Sequence, residues 1–213
     1  FYWKNASGIA GPEDLAGRTL GNPAGDAARV MWPAVAKAAG VPEDGPEFVN
    51  IAPAAKIPTL AADRVDIISD FYNAHDLKLK EFGDDLGFLR WSEIGLNPYG
   101  NSFIANNEFL AENEDLVRAF TEITQKAYRA CVEDPSPCMD ALLENASGLQ
   151  RTDLENTWGR VTELMTTEAT VNEALGWFDP ERISETYELV DTYFGVDTPF
   201  DIETAYTNDF LSK

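Results

Sequence analysis

The chain has little of what most catalytic sites use. A single histidine and two cysteines leave only His75 for a Ser-His-Asp or Cys-His relay and no donor set for a four-ligand zinc site. Positive charge is scarce too: 16 Lys and Arg stand against 37 Asp and Glu, a net charge of −21. The basic residues are scattered, which argues against a nucleic-acid surface, because phosphate binding needs them clustered. Such acidity keeps a protein dissolved but does not forbid a local anion site made of backbone amides. No apolar run approaches the roughly 20 residues that cross a bilayer. No basic, then apolar, then small-residue order marks a signal peptide at the start. Either the protein is cytoplasmic or a leader lies upstream, and the opening "FYWKNASGI" reads as the middle of a polypeptide. There is no D-x-D-x-D-G loop, no P-loop lysine and no dinucleotide-binding spacing, so no metal or cofactor is expected.

What is present suffices for one substantial core or two modest ones, since 213 residues are 44% hydrophobic. "TLGNPAGDAARVMWPAVAKAAG" gives a short strand, a turn built of residues that allow close backbone approach, and a helix that Asp26 can cap. Pro33 either bends that helix or forces its regular part to begin near Trp32. "EFVNIA" then reads as a second strand, "AAKIPTLAADR" as a short amphipathic helix and "VDIISDF" as a third strand. Strand and helix alternate, which predicts a parallel sheet with crossover helices whose ligands collect beyond the carboxyl ends of the strands. "GNP" and "SDFYN" are such ends. "LGFLRWSEIGLNPYGNSFIAN" continues extended around a turn, and from "EFLAENEDLVRAF" onward the chain reads as helical, with Leu116, Phe120, Ile123, Ala127 and Cys131 on one stripe and Pro135, Pro180 and Pro199 as punctuation.

His75 is expected in the first turn of a helix, at an exposed or capping position. Phe71, Tyr72, Trp32, Trp91 and Tyr99 are candidates to line a cleft; core packing is the sober reading for each taken singly, except Tyr72, which sits among Asp70 and Asn73 where a buried ring would be unusual. Cys131 and Cys138 flank a loop with two prolines; a small disulfide loop fits if the compartment is oxidising, and the alternative is two unpaired thiols on the flanking helices.

With "GPEDLAGRTLGNPAGD", "AADRVDIISDFYN" and "YGNSFIANNEFLAENEDLVRAF" in view, the sequence resembles the NMT1/THI5-like branch of periplasmic substrate-binding proteins of ABC importers, which takes up nitrate, sulfonates, taurine and thiamine-pyrimidine precursors. The resemblance implies a type II periplasmic-binding-protein fold of α/β class, two lobes joined by two crossovers near residues 3–9 and 97–102. On it, residues 1–11 would be the end of lobe I and the first crossover, 12–98 lobe II, and 99–213 the second crossover and the helical remainder of lobe I. The first half of lobe I, on the order of a hundred residues, would be missing. The resemblance further implies a periplasmic or extracellular monomer, its leader outside these residues, that hands a small-molecule ligand to an ABC permease by hinge closure. The ligand residues it implies are Asn22, Gly25, Asp26 and Ala27 at the first turn, Asp70, Tyr72 and Asn73 at the strand end, and Tyr99 and Asn101 at the crossover. The Asp70 carboxylate tilts the expectation towards an amino or heterocyclic group over nitrate. The alternative is an enzyme, of the pyrimidine-synthesis type or a hydrolase pairing Asp70 with Asp26.

Overall fold

The computed structural model describes residues 1–212. The chain divides into two units, Phe1–Asn97 with Glu188–Asp197, and Pro98–Tyr187 with the residues from Thr198 on.

Unit 1 is built on a five-stranded sheet. Its strands are β1 (Tyr2–Lys4), β2 (Thr19–Asn22), β3 (Glu47–Asn50), β4 (Ile67–Ile68) and β5 (Leu86–Phe88), in the spatial order β3-β2-β4-β1-β5. As the alternation predicts, β2 runs parallel to both β3 and β4, with Leu20 opposite Phe48 on one side and Ile67 on the other. The antiparallel member is β1, at the start of the stretch expected to cross into this lobe: Tyr2 pairs with Ile68 and Phe88, and Trp3 with Ile67 and Gly87.

Neighbouring strand residues go to opposite faces, and here that splits the core in two. Trp3, Leu20 and Ile67 join Leu15, Met31, Trp32 and Val35 on one side. Tyr2 and Ile68 join Leu60 and Val65 on the other. The first face is covered by α1 (Ala27–Val30) and α2 (Trp32–Ala39), the second by α3 (Lys56–Ala61) and α4 (His75–Phe82). The Pro33 question resolves as a break at Met31: Pro33 occupies the first turn of α2, where no intrahelical N–H is needed.

The ends of β2 and β4 away from the turns are fastened by Asp66. Its carboxylate accepts from the Thr19 amide at 2.8 Å and the Thr19 hydroxyl at 2.7 Å, and its own amide donates back to that hydroxyl at 2.9 Å. Partial burial pushes the Asp66 carboxyl up, but the two Thr19 bonds and the nearby Arg18 charge together outweigh it and hold the group below its ordinary 3.8. A carboxyl depressed by folding stabilises the fold above its unfolded value and loses that contribution as the pH falls through the folded one. Asp66→Asn is therefore expected to cost about 1.5 kcal/mol at pH 7, the low end of the ~1.5–3 kcal/mol for hydrogen bonds to a charged group, because Asp66 is only partly buried. The cost should begin to shrink near pH 3.8 and vanish only once the pH falls below the depressed value of the folded state; urea melts of both proteins across that range check it.

Unit 2 is helical. It holds α5 (Asn107–Glu112), α6 (Glu114–Glu133), α7 (Ser136–Asn145), α8 (Arg151–Met165), α9 (Glu168–Asn172) and the first half of α10 (Pro180–Phe194), whose second half belongs to unit 1. Cys131 at the end of α6 and Cys138 in α7 form a disulfide with Cα atoms 5.9 Å apart. The Trp158 indole N–H donates to the Cys131 carbonyl at 3.0 Å, placing α8 against the same corner. Along α6 the stripe of Leu116, Phe120 and Ile123 is solvent-exposed, while Gln125 is buried, its amide donating to the Leu175 carbonyl at 2.7 Å and accepting from the Ser212 N–H at 2.8 Å.

Candidate functional site

The carboxyl ends of the parallel strands lie side by side, and polar groups collect there. Asn22, the last residue of β2, is fully buried. Its side-chain oxygen accepts from Arg29 Nε at 2.6 Å, its amide donates to Ser69 Oγ at 3.4 Å, and its carbonyl accepts from a second Arg29 nitrogen at 2.9 Å. Asn22 therefore shapes the floor beneath the turn. Above it, residues 23–25 form a turn closed by the Asp26 amide donating to the Pro23 carbonyl at 3.0 Å. Gly25 and Ala27 are exposed, and a side chain at Gly25 would point into open space.

Asp26 caps α1 as its sequence position predicts, accepting from the Ala28 amide at 3.0 Å. It does more than cap. The same oxygen accepts from Ser69 Oγ at 3.1 Å and the other accepts from Lys56 Nζ at 3.0 Å. One carboxylate thus joins the turn after β2, the start of α3 and the end of β4. Lys56 is nearly buried, so this is an ion pair largely out of water, in which each charge depends on the other.

Asp70 follows directly on Ser69 and opens the loop 70–74. One of its oxygens accepts from the Phe71 amide at 2.9 Å, and the other is paired with the Lys78 ammonium. The carboxylate expected to await an amine is thus already matched by a cation of the protein. Burial pushes the Lys78 ammonium below its ordinary 10.5; Asp70 works against that shift and the charge of Lys56 adds to it. Tyr72 and Asn73 lie in the single helical turn Tyr72–Ala74, half-buried. Arg90 lies 4.1 Å over the Tyr72 ring, a cation–π contact.

Of the five aromatic candidates, Trp32 is buried in the first core cluster with Phe1, and the partly buried Trp91 packs against it. Phe71 alone stands out, 64% exposed at the rim. The exposed position expected for His75 is corrected: it does begin α4, but its ring is buried 4.7 Å from Phe88 and 5.8 Å from Tyr2, because that face of α4 covers the Tyr2 side of the sheet.

Tyr99 and Asn101 belong to unit 2. The Tyr99 hydroxyl accepts from the Asp179 amide at 2.8 Å, its ring lies edge-on to Phe178 at 5.1 Å, and Arg182 covers it at 4.2 Å. Asn101 is exposed.

The structure therefore gathers Asn22, Gly25, Asp26, Ala27, Asp70, Tyr72 and Asn73 at one end of one sheet. It adds Arg29, Lys56, Ser69 and Lys78, which the sequence reading passed over. Lys56 did carry a signal, because a lysine in the first turn of a helix opposes the macrodipole and needs a nearby anion.

Comparison with known proteins agrees with this architecture. A family model described as NMT1/THI5-like matches residues 1–137. A formylaminopyrimidine-binding protein of Halalkalibacterium halodurans is 24% identical over 136 residues, which is 63% of this chain and 41% of that protein. The periplasmic aliphatic sulphonate-binding protein SsuA of Escherichia coli superposes with a TM-score of 0.72 at 14% identity, over 97% of this chain and 64% of its own. The alkanesulfonate-binding SsuA of Xanthomonas axonopodis pv. citri, solved with MOPS bound, gives 0.67 at 16% identity, over 91% of this chain and 62% of its own. The chain thus spans less than two thirds of the length of each of these relatives.

Proposed function

We propose, from the premise that this chain belongs to the NMT1/THI5-like family, that it serves in the solute-binding component of an ABC importer. In this reading the protein works outside the cytoplasm as a monomer, holds a small molecule without transforming it, needs no cofactor, and presents its cargo to a membrane permease. The observation that carries the reading is the polar cluster at the carboxyl ends of β2 and β4, topped by the open turn 23–25 and the exposed Phe71. Open parallel sheets place ligands there.

The ion pairs narrow the ligand class. Asp26 and Asp70, the two acids nearest the turn and the loop, are each neutralised by a lysine, and Arg29 adds a further positive charge. The rim is therefore not acidic even though the chain carries −21 overall. An amine would have no unmatched carboxylate to meet, whereas a planar heterocycle or a sulfonate would meet turn amides, short polar side chains and one aromatic face. The same pairs weigh against the carboxylate-hydrolase alternative, since both acids are committed to holding strand ends.

A thermal-shift panel of alkanesulfonates, formylaminopyrimidines and amines tests this. Wild type should be stabilised by a member of the first two classes, by about 2.7 kcal/mol at a hundredfold excess over Kd. Gly25→Trp, which fills open space on an unstrained backbone, should melt within a few degrees of wild type yet show no shift. No response to any class, or turnover of the bound compound, would defeat the proposal.

A further inference from the structure

The helix α4 is inside out. In "HDLKLKEF" the leucines Leu77 and Leu79 are 37% and 43% exposed, while Lys78 between them is completely buried. Hydrophobic burial would favour the opposite arrangement, and an ammonium taken from water is costly unless it is well paired. The position of the Lys78 ammonium shows what it is paired for. It donates to the Ala74 carbonyl at 3.0 Å, pairs with Asp70, and lies 5.0 Å over the Tyr2 ring of β1. Asp70 and Ala74 are the two ends of the loop 70–74. Asp70 in turn fixes the first peptide of that loop through the Phe71 amide.

We propose that Lys78 is a positioning residue of the ligand site: one buried cation closes the loop 70–74 like a clasp and so sets the direction in which Phe71 leaves the rim. The inference rests on the binding reading above for its purpose, but the clasp itself can be tested without any ligand. It also makes a counterintuitive statement about stability. Replacing a buried ion pair by apolar side chains of similar size is often neutral or stabilising, and removing one partner is costly where the other is left as a lone buried charge; here the buried partner is the one removed, and the released Asp70, its side chain 27% exposed, stays in reach of water. A residue kept only to hold the fold together would behave the other way.

The test compares wild type, Lys78→Met and the double variant Lys78→Met with Asp70→Asn, each carrying 4-fluorophenylalanine in place of phenylalanine, with the residue 71 resonance assigned by Phe71→Leu. The expected result is a melting temperature equal to or above wild type, with the residue 71 fluorine signal shifted and exchange-broadened. Affinity for MOPS or a formylaminopyrimidine, whichever wild type binds, should fall at least tenfold, while Lys78→Arg should recover part of it. If Lys78→Met does not fold, the double variant, which leaves no lone charge, decides by the same signals. An unchanged residue 71 resonance overturns the clasp. If wild type binds neither probe, the binding reading falls, and the fluorine signal still decides the clasp separately.

Discussion

Replacing Asp26 by alanine is expected to destabilise unit 1 by about 3–5 kcal/mol, the cost of leaving a buried charge without its partner. Asp26 receives four kinds of support at once: the α1 cap, the Ser69 hydroxyl, the Lys56 ammonium and the turn 23–25. Loss of the cap alone would cost about 1 kcal/mol, so most of the effect must come from Lys56, and that can be separated. Asp26→Asn keeps a good capping side chain and removes only the charge, and should fall between wild type and alanine. Adding Lys56→Met to Asp26→Ala removes the stranded ammonium and should recover more than half the loss, a coupling that a double-mutant cycle in urea measures directly. Were Asp26→Ala to cost less than 1 kcal/mol, the cluster would not be what holds the strand ends together.

The second large effect is expected far from the site, at Gly45. Its φ is +48°, and a Cβ there would lie 2.1 Å from Trp32 Nε1 and 2.4 Å from its Cε2. The indole cannot easily retreat, because it donates to the Glu43 carbonyl at 3.0 Å and is edge-packed on Phe1. Left-handed backbone costs alanine roughly 1–2 kcal/mol, and overpacking about 1–3 more, so Gly45→Ala should lose about 2–5 kcal/mol with a shift in tryptophan emission. Gly40 separates the two causes. Its φ is +70° but nothing lies within 4 Å of its would-be Cβ, so Gly40→Ala should show the backbone cost alone, about 1–2 kcal/mol. Equal losses at the two positions would refute the packing argument.

How much of this was legible beforehand depended on whether the cause was local. The strand, turn and capped helix around "TLGNPAGD" were readable because turn residues and a cap act within a few residues of themselves. That polar groups would gather at the carboxyl ends of β2 and β4 was readable for the same reason, through strand–helix alternation. The identity of the groups that build it was less so. Asp70 was legible as a carboxylate but not as a paired one, because its partner sits eight residues on, in a helix whose composition suggests that lysines face water. His75 misled in the same way: a lone polar residue at a helix start reads as exposed unless it is known which sheet face the helix covers. Strand β1 offered only three residues, too few for alternation to show, and its place inside the sheet, between β4 and β5, is decided by partners more than sixty residues away.

That placement of β1 also sets an order of events. The strands β3, β2 and β4 are joined by short connections and can associate early, but β5 hydrogen-bonds to β1 alone. The sheet can be finished only when Tyr2–Lys4 slots in between β4 and β5, a contact that closes loops of about sixty to eighty-five residues and so carries the larger entropic barrier. Until then Ile67 and Ile68 present an unpaired strand edge, and the nascent protein is at its most vulnerable to pairing with another molecule at that edge.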